Sequence, residues 1–219
     1  MYKKNLNEKL VIFDNDGTLY KTESVSVEAI QKAFQDLNLS IPTAEEILSL
    51  VGETMESFCE KILPTTTSEI HENLADRIRF HERVLIPKKA ELYDNIDKVL
   101  KKLIREGFTL AICSNASVSY INLVLNTLGI VNLFKYIKGK ELPKTKADLI
   151  KDILTESNPS FAILVGDTIH DINAARENNL PCIIVRYGYG KDDDIMHADF
   201  IADNPEDILT LINNLNIIS

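Results

Sequence analysis

The residues of this chain best suited to chemistry are polar groups placed at the ends of apolar runs. Asp14 and Asp16 directly follow the apolar run of residues 10–13, and Gly17 behind them lets the backbone turn sharply. Asp167 follows a second run, residues 161–165, through Gly166; Asp171 stands four residues on, about one turn along the next helix. A third run, Phe108–Cys113, ends in Ser114 and Asn115. Asp14, Asp167 and Asp171 gathered at one point would repel one another without a cation. An all-oxygen acidic set favours magnesium, which keeps several waters and bridges to phosphate. Simpler readings stand beside this one: Asp, Asn and Gly are ordinary turn formers, and Asp171 suits a helix N-terminus through the macrodipole.

For these groups to meet, their runs must be neighbouring strands of one parallel sheet, whose carboxyl ends collect ligands. The rest of the pattern supplies such a sheet. Weaker strands are expected at 136–138, 182–185 and near Phe200. Between the strands lie helical stripes: Ile96, Val99, Leu100, Leu103 and Ile104 behind a cap at Asp94, closed by Gly107; then Val118, Ile121, Val124, Leu125 and Leu128, closed by Gly129. Further helices are expected over 146–154, from about Asp171 and from Pro205. Residues 22–87 differ, with helical periodicity and no convincing strand. Val25, Ala29, Ala33, Phe34 and Leu37 form one stripe, Thr43 and Glu46 a capping box, and Ile70, Leu74, Ile78, His81 and Leu85 a longer final helix. The fold class is therefore α/β: a Rossmann-like parallel sheet with helices on both faces, plus a small all-helical domain inserted after the first strand. Residues 1–20 and 88–219 are assigned to the α/β core and 21–87 to the insert, a candidate lid over the acidic site.

At 219 residues the chain can build one good core and a smaller second unit. Its net charge of −9 argues against a nucleic-acid partner, because there is no basic face to neutralise phosphates. A small anionic substrate is still compatible, since a bound metal ion inverts the local field. Cys59, Cys113 and Cys182 are widely spaced in apolar surroundings and read as buried thiols. No run is long enough to span a bilayer, and the start of the chain, with Lys3 and Lys4, lacks a signal-peptide core, so a cytoplasmic protein is expected.

Asp14-x-Asp16-Gly17-Thr18-Leu19 after a buried strand, with Ser114, the lysine region and Gly166-Asp167-x-x-x-Asp171 in that order, resembles the haloacid dehalogenase superfamily across nearly all of the chain. The helical insert is similar to the cap of its phosphoglycolate phosphatase-like branch. The resemblance implies a magnesium-dependent phosphatase acting on a small phosphorylated metabolite through an aspartyl-phosphate. Asp14 matches the nucleophile, Asp16 the general acid/base and Ser114 the hydroxyl that holds the phosphoryl group. Asn15, Gly17, Thr18 and Asn115 fall beside it as further phosphate contacts. Asp14, Asp167, Asp171 and the backbone carbonyl of Asp16 match the metal site, with Asp171 behind the direct ligands. The lysine is Lys146 or Lys144; the run Lys146-Ala147-Asp148-Leu149-Ile150 favours Lys146.

The same resemblance frames the alternatives. A dehalogenase lacks the second aspartate. A β-phosphoglucomutase-like mutase carries an arginine shortly after the glycine matching Gly52, where this chain has Glu53-Thr54-Met55-Glu56. A receiver-like phosphorylation switch has no helical insert behind its first strand. Gly52 and Glu53 are candidate substrate contacts. With no lysine or arginine in their loop, Glu53 and Glu56 are expected to disfavour a carboxylated substrate such as phosphoglycolate against a neutral polyol or sugar phosphate. Lys21-Thr22 stands where many relatives have Asp-Ser, and Asn178-Asn179 replaces a common Ala-Gly; neither departure is expected to touch the chemistry.

Overall fold

The computed structural model describes residues 8–218; residues 1–7, with Lys3 and Lys4, and Ser219 lie outside the described residues. The first apolar run forms β1 (Lys9–Phe13), and an all-helical stretch follows: α1 (Glu23–Asp36), α2 (Ala44–Leu48), α3 (Met55–Ile62) and α4 (Ser68–Lys89). Strands and helices then alternate: α5 (Ile96–Arg105), β2 (Phe108–Cys113), α6 (Val118–Thr127), a 3-10 turn at Val131–Leu133, β3 (Tyr136–Lys138) and α7 (Lys146–Ser157). The chain continues through β4 (Phe161–Gly166), α8 (Ile169–Glu177), β5 (Cys182–Val185), α9 (Asp192–Ile195), β6 (Phe200–Ala202) and α10 (Pro205–Ile218).

The strands make one parallel sheet in the order β3-β2-β1-β4-β5-β6. Alternate residues of β1 serve opposite faces, as a strand period of two requires. Val11 and Phe13 join a cluster with Ile96, Leu100, Ile121 and Ile208 from α5, α6 and α10. Leu10 and Ile12 join the other face with Leu149, Ile150 and Ile172 from α7 and α8. Both faces are thus covered, which is why β1, β2 and β4 read as continuous apolar runs. Phe13 is in register with Ile112 on one side and Val165 on the other, so the polar residues ending all three strands share one sheet edge. That edge is also where the strand order reverses, a natural crevice for a ligand.

The helical stretch has a core of its own, built from Ile30, Phe34, Ile47, Phe58, Leu74 and Ile78. It is fastened to the sheet layer where Leu85 and Ile86 of α4 meet Tyr20, Val25, Ala29 and Val124. The Thr43–Glu46 capping box is present at α2. Three local expectations change. Helix α4 runs past Pro87 to Lys89. Asp94 does not cap α5; Asn95 holds the N-cap position with φ 66°, and Asp94 turns to Lys21 at 3.2 Å. Helix α8 starts at Ile169, because Thr168 and Asp171 form a capping box before it. Among the described residues no helix is long and apolar enough to cross a membrane, and the three cysteines are buried free thiols.

Candidate active site

Lys146 is the hub of the polar edge. It opens α7, where Thr145 and Asp148 form a capping box that sets the direction of the first turn. Its Nζ lies 2.7 Å from Asp14 Oδ1 and 2.7 Å from Asp171 Oδ1, and all three side chains are buried. Burial works against its charge, but the two carboxylates outweigh it and raise its pKa. Lys144 lies elsewhere, paired with Glu141 and Asp152 on the surface, so the structure brings only Lys146 to the cluster.

Each aspartate has a different environment. Asp14 is pushed up to about 7, chiefly by burial, with Lys146 opposing and Asp171 adding to the rise. Asp171 is buried too, yet Lys146 and the Thr168 donors outweigh burial and hold its carboxyl below the usual range. Its Oδ2 accepts from the amides of Asp167 (3.2 Å) and Thr168 (3.0 Å) and from the Thr168 hydroxyl (3.0 Å). Asp171 is therefore both a helix cap and a partner of Lys146. Asp167 is the least satisfied: Oδ2 takes the Tyr189 amide at 2.9 Å, whereas Oδ1 is buried with no partner among the described residues. Burial and the neighbouring carboxylates raise its pKa well above the ordinary value. Oxygens of Asp14, Asp167 and Asp171 lie within 4.8 Å of one another. An orphaned carboxylate oxygen beside two further carboxylates fits a hard cation that takes oxygen ligands.

Asp16 turns its carboxylate away from that triad. Oδ1 accepts from Tyr120 Oη at 2.8 Å and Thr22 Oγ1 at 3.1 Å, and Oδ2 from Asn15 Nδ2 at 3.2 Å. Burial raises its pKa against these donors. Among the described residues the backbone amides of Asn15 and Asp16 have no acceptor, which leaves them for an anion. Gly17, at φ 75°, closes the turn so tightly that a Cβ there would stand 2.1 Å from Asp167 Oδ2. Thr18 is fully buried and is not among the residues lining the cavity beside the cluster; its carbonyl accepts from Tyr187 Oη at 3.1 Å. Ser114 is buried at the end of β2, and Asn115 donates to the Gly52 carbonyl at 2.8 Å, tying the helical stretch to the sheet edge.

Between the sheet edge and helices α1–α4 lies a cavity of about 230 Å³. Asp14, Asp16, Ser114, Asn115 and Tyr120 line its lower wall; Ser26, Ile30, Ile47, Val51, Phe58, Ile78, Arg79 and Glu82 line the upper one, with Gly52, Glu53 and Glu56 at its side. The glutamates are not uncompensated, contrary to the expectation from their loop. Glu53 pairs with Lys61 and with His170 at 3.3 Å and accepts from Ser57 Oγ; Glu56 pairs with Lys140. The compensating lysines come from the next helical turns and from beyond β3, outside the loop itself.

Thr22 is a second correction: contrary to the expectation that it stands clear of the site, its hydroxyl donates to Asp16 Oδ1. Tyr120, Tyr189, Arg79, Glu82 and Lys140 escaped the sequence reading. Tyr120 had a usable signal, lying in the first turn of the helix that follows Ser114-Asn115. The spaced glycines of Tyr187-Gly188-Tyr189-Gly190 were another: a Cβ at Gly188 would stand 2.3 Å from Asp167 Cβ.

The family model described as haloacid dehalogenase-like hydrolase matches residues 11–185. A phosphoglycolate phosphatase from Psychrobacter arcticus is 28% identical over 204 residues, covering 87% of this chain and 88% of the relative. One from Agrobacterium fabrum is 29% identical over 211 residues, covering 90% and 91%. The crystal structure of a predicted phosphoglycolate phosphatase from Haemophilus somnus superposes with a TM-score of 0.86 at 23% identity, covering 94% of this chain and 98% of that one.

Proposed function

The chain belongs to the haloacid dehalogenase-like hydrolases, and from that premise we propose that it is a magnesium-dependent phosphatase of small phosphate monoesters working through an aspartyl-phosphate. The observation that carries this reading is Lys146 bridging Asp14 and Asp171 beside the unpartnered oxygen of Asp167.

In this reading Asp14 is the nucleophile. Its Oδ attacks phosphorus, forming a new P–O bond as the bond to the leaving oxygen breaks, and one hard displacement becomes two easier ones. Asp16, facing the cavity, gives its proton to the leaving oxygen and takes one from the water that hydrolyses the acyl phosphate. Burial, which raises its pKa, favours the protonated form that the first step needs. The Thr22 and Tyr120 donors fix its rotamer. Lys146, Ser114 and the free amides of Asn15 and Asp16 stabilise charge on the phosphoryl oxygens. Asp14, Asp167 and the Asp16 carbonyl would hold magnesium, with Asp171 orienting the set through Lys146 and the Thr168 turn. Bound magnesium would supply charge neutralisation for carboxylates and phosphate brought together. Residues 21–87 act as a cap that covers the leaving group.

Release of inorganic phosphate from p-nitrophenyl phosphate and acetyl phosphate, with and without magnesium, tests the reading. Asp14→Asn is expected to lower multiple-turnover release by about a thousandfold or more. Turnover above that level in protein free of contaminating phosphatase refutes the nucleophile assignment.

Arg79 favours a second reading. The cap loop lacks the cation of a phosphomutase, but α4 brings this arginine to the cavity wall. A mutase would return the phosphoryl group to its product, so a sugar phosphate would isomerise without stoichiometric phosphate release.

A further inference from the structure

Glu82 is a carboxylate that the mechanism does not use. It sits in α4 with 8% exposure, and its side chain lines the same cavity as Asp14 and Asp16. No described residue gives its carboxyl a hydrogen bond; of the charged groups acting on it, Asp16 opposes its charge and Arg79 favours it, and the Tyr20 and Tyr120 hydroxyls lie within its field. Buried polar groups left without a partner are costly, so one aimed into a cavity marks where a ligand atom belongs.

The chemistry of that atom follows from what suits Glu82 in both protonation states. Burial and the Asp16 charge push its carboxyl up to about 8, so both forms are populated near neutral pH. An ionised carboxylate accepts hydrogen bonds only, and a protonated one both donates and accepts. A carboxylate ligand suits the acid but meets a like charge as soon as Glu82 ionises; an ammonium suits only the ionised form. A hydroxyl suits both, and its oxygen can also accept from the guanidinium of Arg79, which lines the cavity while its Nη1 donates to Asp76 at 3.0 Å. Around this polar end, Ile30, Ile47, Phe58 and Ile78 offer apolar wall to a carbon skeleton. The cavity of about 230 Å³ is room for on the order of ten waters, far more than a two-carbon leaving group fills.

Resting on the phosphatase reading above, we propose that Glu82 is a specificity-determining residue that binds a hydroxyl of the leaving alcohol, so that the enzyme prefers phosphate esters of short polyhydroxylated alcohols. The preference expected from the Glu53 and Glu56 charges is thereby kept, but its cause moves to Glu82.

The test compares kcat/KM for erythritol 4-phosphate and ribitol 5-phosphate with butyl phosphate, pentyl phosphate and phosphoglycolate, in the wild type, Glu82→Gln and Glu82→Leu. The wild type is expected to favour each polyol ester over its alkyl match by roughly ten- to a hundredfold, the worth of one hydrogen bond to a charged group. It should favour the polyol esters over phosphoglycolate by about tenfold or more. Glu82→Leu should bring the polyol-to-alkyl ratio close to one, while Glu82→Gln, whose amide also donates and accepts, keeps most of it. A purely structural role would depress all esters together and leave the ratios unmoved, which overturns the proposal. A wild-type ratio near one, or a preference for phosphoglycolate, overturns it without any variant. If these follow while acetyl phosphate is still hydrolysed with magnesium, the phosphatase reading survives alone; no phosphate release from any ester overturns both.

Discussion

Replacing the proposed nucleophile should make the protein more stable as well as inactive. Asp14 is buried among carboxylates, and its pKa rises from 3.8 to about 7 even with Lys146 beside it. Because the folded pKa lies above the unfolded one, the folded state binds the proton more tightly, and stability falls as pH rises from about 4 to about 7. At about 1.4 kcal/mol for each pH unit, ionising Asp14 in the fold costs about 4 kcal/mol at pH 7.5 in metal-free buffer. Asp14→Asn keeps the shape and removes that cost. Its gain should approach about 4 kcal/mol at pH 7.5, near 10 °C in melting temperature for a chain of this size, and shrink to about 1–2 kcal/mol at pH 5. Scanning calorimetry of wild type and variant in chelator at the two pH values measures it. Added magnesium should narrow the difference by stabilising the wild-type carboxylate. An Asp14→Asn protein that is less stable than wild type at pH 7.5, or whose gain does not change with pH, refutes the reasoning.

Further outcomes follow from the same geometry. Asp16→Asn, exposed to acetyl phosphate, should accumulate a phosphoryl adduct on Asp14 that mass spectrometry detects; an adduct elsewhere reverses the assigned roles. Lys146→Met leaves Asp14 and Asp171 without their shared ammonium and should cost about 3–5 kcal/mol of stability together with most of the turnover, and a variant near wild type in both sinks the bridge. Asp167→Ala and Asp171→Ala should cross over: magnesium affinity by titration calorimetry falls more in the first, whose lost oxygen has no partner among the described residues. The melting temperature falls more in the second, which loses a helix cap worth about 1–2 kcal/mol. The reverse ranking in either measurement contradicts the division of labour between the two.

What the sequence by itself determined is local or periodic. Apolar runs of four to six residues ending in Asp14, Ser114 and Asp167 specify buried parallel strands, and such strands place their polar ends on one edge whatever the loops do. The spacing of Val25, Ala29, Ala33 and Phe34 likewise specifies a helix with one buried face. For Asp171 the sequence left a helix-end role and a place in the acidic cluster as alternatives, and the structure shows one side chain that caps α8 and pairs with Lys146. Only the tertiary structure decided which charges meet. Glu53 and Glu56 look unpaired in their loop, yet Lys61 lies eight residues on and Lys140 arrives from across the sheet edge. Thr22 and Tyr120 converge on Asp16 from separate elements, and Glu82 points into the cavity from a helix whose stripe predicts only its apolar face. The reason is physical: hydrophobic periodicity fixes the face an element buries, but a polar side chain's partner depends on how elements far apart in the chain are packed. Of the two candidate lysines, two residues apart at the start of one helix, packing buries Lys146 between carboxylates and leaves Lys144 on the surface.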